Sequence, residues 1–132
     1  LFTVFDKIES LMNFIENYKK YESGINHKLV ICFKLFNSQE INELKKHLID
    51  INYIEFVDTC KENDWDFGSY KRVSESFYNK DILFLSSHSY PVCDEWLKKL
   101  FMFKDDKSVI APTASYESLT DSIKLKNKFH VS

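Results

Sequence analysis

Short apolar runs rich in β-branched and aromatic residues alternate with segments of helical period along almost the whole chain. No other feature limits the fold as much. LFTVF (1–5), LVICF (29–33), YIEFV (53–57), ILFL (82–85) and SVIA (108–111) read as strands. Most are nearly continuous in apolar residues, as strands covered on both faces are. Between the first two, Ile8, Leu11, Met12, Ile15 and Tyr18 recur at helical spacing behind Asp6, an N-cap residue. Ser38 caps a second helix with an inner face of Ile41, Leu44, Leu48 and Ile51. A third carries Tyr70, Val73 and Phe77, and a fourth, opened by Asp94, carries Trp96, Leu97, Leu100 and Phe101. Strand, helix, strand in repetition gives right-handed crossovers onto one mostly parallel sheet with helices on both faces. The expected fold class is α/β, Rossmann-like.

With 132 residues, 44% of them hydrophobic, the chain can bury a core and is expected to form one domain over residues 1–132. A formal charge of -2 supplies no field for nucleic acid or an anionic membrane surface. Cys32, Cys60 and Cys93 are odd in number and lack a CxxC pair, which suits a reducing, cytoplasmic setting. No apolar run reaches membrane-spanning length. The chain opens on LFTVF without a Met and stops at KFHVS, so it is expected to be a piece of something longer.

In open α/β sheets ligands sit beyond the carboxyl ends of the strands. The residues there are Asp6, Lys34, the run from Asp58 to Asp66, and Ser86 to Tyr90. No GxGxxG or GxxxxGK[ST] is present, so a nucleotide would need another cradle. The stretch NDWDFGSYKR (63–72) concentrates candidates, among them the only arginine of the chain. Asp58, Asn63, Asp64 and Asp66 suit ribose hydroxyls and a base imide, because an ionised carboxylate only accepts hydrogen bonds. Gly68 permits close backbone approach, Ser69 can cap the next helix, and that helix's N-terminal amides favour an anion. Arg72 can grip a phosphate with two parallel bonds. The plainer alternative is an acidic capping loop whose Trp65 and Phe67 plug the sheet's edge. In SSHSYPV, His88 has no second ligand at metal spacing, and Ser87 and Ser89 lack a GxSxG elbow.

ENDWDFGSYKRV, then ILFLSSHSYPV, then DEWLKKL, resembles the family-2-like bacterial glycosyltransferases, particularly the rhamnan-synthesis and surface-polysaccharide branch. The resemblance covers the chain in element order and is specific from Asn63 to Leu100. It implies the nucleotide-sugar-binding half of a GT-A fold, transferring a sugar from a nucleotide-diphosphate donor to a glycan or lipid-linked acceptor. It further implies a cytoplasmic place at the inner face of the membrane, with peripheral association through regions outside this chain. Thr3 and Phe5 would flank the base, and Asp58, Asp64 and Asp66 would meet base and ribose. Ser86, Ser87 and His88 stand where the family's DXD motif holds Mg or Mn. Those carboxylates are absent, so no metal residue is assigned and Lys34, Arg72 or His88 would neutralise the diphosphate. The family's acidic turn after the second strand is replaced by KLFNSQ. Its catalytic base has no counterpart, Glu117 being the nearest acid after the fifth strand.

Two rivals accompany that reading. One is a catalytically inactive binding or assembly module of the same fold. The other is a phosphoacceptor receiver domain, for which Asp58 ends a strand but the acidic pair after the first strand is reduced to Asp6.

Overall fold

Five of the six residues in LVICFK (29–34) are apolar, and helices cover both faces of the strand they form. A computed structural model describes residues 7–62, 64–86 and 88–106. In chain order its elements are α1 (Lys7–Lys20), β1 (Leu29–Lys34), α2 (Ser38–Lys45) with a 3-10 turn (Lys46–Leu48), β2 (Tyr53–Asp58), α3 (Trp65–Ser76) and α4 (Trp96–Phe101). The chain divides into two units, 1–98 and 99–132. Of the second, only 99–106 is described.

β1 and β2 pair in parallel, from Leu29 opposite Tyr53 to Lys34 opposite Asp58. Side chains alternate across a strand, so Ile31 and Phe33 share one face of β1 while Cys32 and Lys34 share the other. All four are buried. Ile31 and Phe33 join Leu11, Phe14 and Ile15 of α1, Ile41 and Leu44 of α2, and Leu48 and Ile51 in one apolar cluster. The opposite face meets α3 through Val73 and Ser69, both buried. Burying one such aliphatic or aromatic side chain contributes about 1.5–3 kcal/mol, so this cluster is the main source of stability. Over the described residues the fold is mixed α/β, with a small parallel sheet of two strands and helices. Among the described residues no helix is long and apolar enough to cross a membrane.

Several local expectations shift. The α2 cap is Asn37 rather than Ser38: its side chain accepts from the Glu40 amide at 2.9 Å, and the Glu40 carboxylate accepts from the Asn37 amide at 2.8 Å. That reciprocal pair needs an acid three residues after the cap, which Asn37 has and Ser38 lacks. In α1, Phe14 is core while Ile8 is 53% exposed. ILFL (82–85) is not a strand and has no ladder partner among the described residues. It is covered by side-chain packing instead, with Phe84 stacked on Tyr70 at 4.4 Å and Leu85 against the apolar cluster. LFTVF, SVIA, the Asp6 cap and Glu117 lie outside the described residues.

Candidate functional site

Register places the first two site residues. Lys34 and Asp58 are paired at the carboxyl ends of β1 and β2, and equal parity points both toward α3. α3 begins at Trp65 behind Asp64, five residues earlier than a Ser69 cap would give, because the Asp64 carbonyl accepts from the Gly68 amide at 3.1 Å. Ser69 therefore lies in the second helical turn, fully buried, and its hydroxyl donates to Asp58 Oδ2 at 2.6 Å. Arg72, three residues further, lies on the same helical face.

These residues form a closed network. Arg72 donates to Asp58 twice, Nε to Oδ1 at 2.9 Å and Nη2 to Oδ2 at 2.7 Å. Its third nitrogen, Nη1, donates to Asp64 Oδ2 at 2.7 Å. Lys34 Nζ donates to Asp64 Oδ1 and to the Trp65 carbonyl, the latter at 2.8 Å. The Cys60 amide completes Asp58 at 3.1 Å. Gly68 is required where it stands: a Cβ there would overlap the Asp64 carboxylate.

Two cations and two carboxylates balance, so the network carries no net charge of its own. Burial works to raise the Asp58 pKa, but the bonds from Arg72, Ser69 and the Cys60 amide outweigh it and leave the group below its ordinary value. Arg72 first and Lys34 second hold Asp64 well below the carboxylate range. The two acids in turn raise Arg72. Burial pushes the neighbouring Cys32 thiol up to about 11. Leu35 and Trp65, which follow Lys34 and Asp64, have φ of 60° and 51°. Left-handed backbone costs on the order of 1–2 kcal/mol for such residues.

Of the residues singled out in the sequence, Lys34, Asp58, Asp64, Ser69 and Arg72 are brought together. Asp66 is half-buried in the first turn of α3. Ser86 sits in a separate turn, its hydroxyl 2.9 Å from that of Ser89, and His88 is exposed. Thr3, Phe5, Asp6, Asn63 and Ser87 lie outside the described residues. Trp65 and Phe67 do not plug an edge; they are 74% and 79% exposed.

Sequence reasoning missed two features. Donor atoms of Cys60, Glu62 and Asp64 come within 4.8 Å of one another. A cation there would compete for Asp64 oxygens already bonded to Lys34 and Arg72. The second feature is a ring group: Tyr18 Oη lies 2.7 Å from His27 Nε2, and both rings pack edge-on against Trp96. The spacing of Tyr18 and His27 across a helix end and loop carries no periodic signal that could have announced it. Comparison with models of known families, with curated proteins and with solved structures finds no match.

Proposed function

We propose that the chain is the nucleotide-sugar-handling part of a glycosyltransferase-like protein, of the Rossmann-like GT-A type, which moves a sugar from a nucleotide diphosphate to a growing glycan. The observation that carries this reading is the convergence of Lys34, Asp58, Asp64, Ser69 and Arg72 beyond the carboxyl ends of two parallel strands, at the mouth of α3. That is where open α/β sheets receive ligands.

Roles follow from what is already bonded. Arg72 and Lys34 are committed to Asp58 and Asp64, so they are positioning residues that fix the mouth of α3. Asp66 in the first turn is the acceptor for nucleoside hydroxyls or a base imide, and the first-turn amides of α3 face the diphosphate. The acceptor oxygen bonds to the anomeric carbon as that carbon's bond to the diphosphate oxygen breaks. The diphosphate leaves with the electron pair, stabilised by those dipoles rather than by covalent catalysis. The acceptor's hydroxyl proton passes to a base that the sequence does not assign to any residue. Calorimetric titration with UDP, dTDP and GDP tests the reading. Binding that Asp66→Asn weakens supports it, and folded protein that binds none of the three refutes it.

The neutral, internally satisfied network favours one rival, a non-catalytic module of the same fold. Nucleotide binding without sugar release from any nucleotide sugar would select it. A receiver fits less well, because a phosphoacceptor must be open and the Asp58 side chain is 1% exposed.

A further inference from the structure

Three segments meet at the ring of His27. Tyr18 comes from α1, His27 from the loop that follows, and Trp96 from the start of α4; the His27 centroid is 5.7 Å from that of Tyr18 and 6.0 Å from that of Trp96. Beside these rings the loop grips the chain that leads into α4. The Glu95 amide donates to the Glu22 carbonyl at 2.7 Å, the Lys98 amide to the Ser23 carbonyl at 3.1 Å, and the Glu22 amide to Asp94 Oδ1 at 3.0 Å. Gly24, with a φ of 77°, allows this approach, because a Cβ there would stand 3.0 Å from carbons of Glu95 and Lys98.

The hydrogen bonds decide which form of His27 fits. A carbonyl only accepts, so His27 Nδ1, 3.0 Å from the Ile25 carbonyl, carries a proton. Nε2 is then the acceptor of a neutral ring, and the Tyr18 hydroxyl donates to it at 2.7 Å. Acceptors are already scarce at this junction. The Ile25 carbonyl also takes the Ser23 hydroxyl at 2.9 Å, and the Trp96 Nε1–H is buried with no acceptor among the described residues. A proton added at Nε2 turns an acceptor into a donor and forces the Tyr18 hydroxyl to turn away. The charged neighbours do not offset that change. Lys19 and Glu22 border the same groove as His27 with opposite signs, and Lys28 follows it in sequence. From the α4 side, Asp94 is bonded to the Glu22 amide and Glu95 is paired with Lys98. Among the described residues no carboxylate stands at ion-pair distance from His27.

We propose that His27 is a proton-sensitive latch: the neutral ring clamps residues 94–98 onto the 22–25 loop, and protonation releases them. The latch uses none of the residues of the Asp58 network and stands apart from the transferase reading. Histidine is the side chain whose charge changes between about pH 5 and 8, so that is the range to search. The chain has two tryptophans, and Trp65 is 74% exposed, so Trp65→Phe leaves Trp96 as a single reporter of the junction. In that background Trp96 emission should move to the red as the pH falls through this range and water reaches the indole. Exchange of the Glu95 and Lys98 amides, corrected for the intrinsic rate at each pH, should rise roughly tenfold at the acid end, as loss of a buried hydrogen bond implies. Both changes should share their midpoint with the His27 ring protons in an NMR titration. His27→Gln, checked for folding by far-UV circular dichroism, should remove the response, whereas substitution of the exposed His47 or His88 by Gln should leave it. A His27 ring that titrates while emission and exchange stay constant overturns the proposal, as does an unaltered response in folded His27→Gln. If that variant does not fold, the midpoints decide: coincidence supports the latch, and separate midpoints overturn it.

Discussion

Arg72 holds Asp58 by two parallel hydrogen bonds, at 2.9 and 2.7 Å, while a third nitrogen reaches Asp64. One planar group thus ties the end of β2 to the residue that starts α3. Lysine cannot reproduce a fork that serves two carboxylates at once. Arg72→Lys should lower the melting temperature clearly, and Asp58→Ala should lower it too, by removing the acceptor of two Arg72 bonds and of the buried Ser69 hydroxyl. Chemical denaturation of both variants checks this. Wild-type midpoints would show that the network is ornamental.

Gly68→Ala gives a sharper test, because two effects oppose. In a helix interior alanine is favoured over glycine by up to about 1 kcal/mol. Here the added Cβ overlaps the Asp64 carboxylate, which Arg72 and Lys34 hold in place. Overlap should win, and Gly68→Ala should be less stable than wild type. In an Asp64→Ala background the obstacle is gone, and the same change should become neutral or stabilising. A double-mutant cycle by denaturant midpoint decides it; the same sign in both backgrounds would mean that Asp64 does not fill that space.

How much of this was legible can be judged from particular residues. LVICF and YIEFV announced parallel strands, but only LVICF is largely buried, since Ile54, Glu55 and Val57 of β2 are exposed; Ile41 and Leu44 announced the inner face of α2, which Leu48 and Ile51 extend beyond the helix. ILFL has the same composition, yet a four-residue apolar run can be buried by ring stacking as readily as by a ladder. Asn37 and Ser38 are both capping residues, and only the acid at Glu40 separates them. The site residues were legible as strand ends and a helix mouth. Their partners were not: an arginine in a helix's second turn reads the same whether it meets a ligand or the protein's own carboxylates.

Acid should unfold the protein partly through this network. Asp58 and Asp64 both have folded pKa values lowered from the ordinary 3.8. A group with a depressed folded pKa contributes stability above its unfolded value and loses it as pH falls through the folded one. The contribution should thus be complete near neutral pH and decline progressively below about pH 4. Denaturant midpoints of wild type and Asp64→Asn, measured from neutral to acid pH, should differ at neutral pH and converge at low pH. Parallel curves would count against the pairing.

The cysteines should separate by reactivity. Cys32 is buried with its thiol raised to about 11, so little thiolate is present near neutral pH, whereas Cys93 is exposed. Iodoacetamide followed by mass spectrometry should show Cys93 modified early and Cys32 only when denaturant is added. Early labelling of Cys32 in native protein would mean that its face of β1 opens readily.

The last prediction concerns metal dependence of nucleotide binding. Where a carboxylate pair holds a divalent cation against a diphosphate, the oxygens must be available, since Mg prefers several hard oxygen ligands. Ser86 and His88 supply no carboxylate, and both oxygens of Asp64 are engaged by Lys34 and Arg72. A cation would have to displace one of those partners and leave an ammonium or guanidinium without its counter-charge. If UDP or dTDP binds, its affinity should therefore change little, within roughly threefold, well under the tenfold that 1.4 kcal/mol represents, when a chelator replaces magnesium. Asp66→Asn should weaken binding in both conditions alike, because it exchanges an acceptor for a donor without touching a metal. A large loss of affinity on chelation would place a cation among Cys60, Glu62 and Asp64 after all. It would also require the Lys34 and Arg72 bonds to rearrange when the nucleotide arrives.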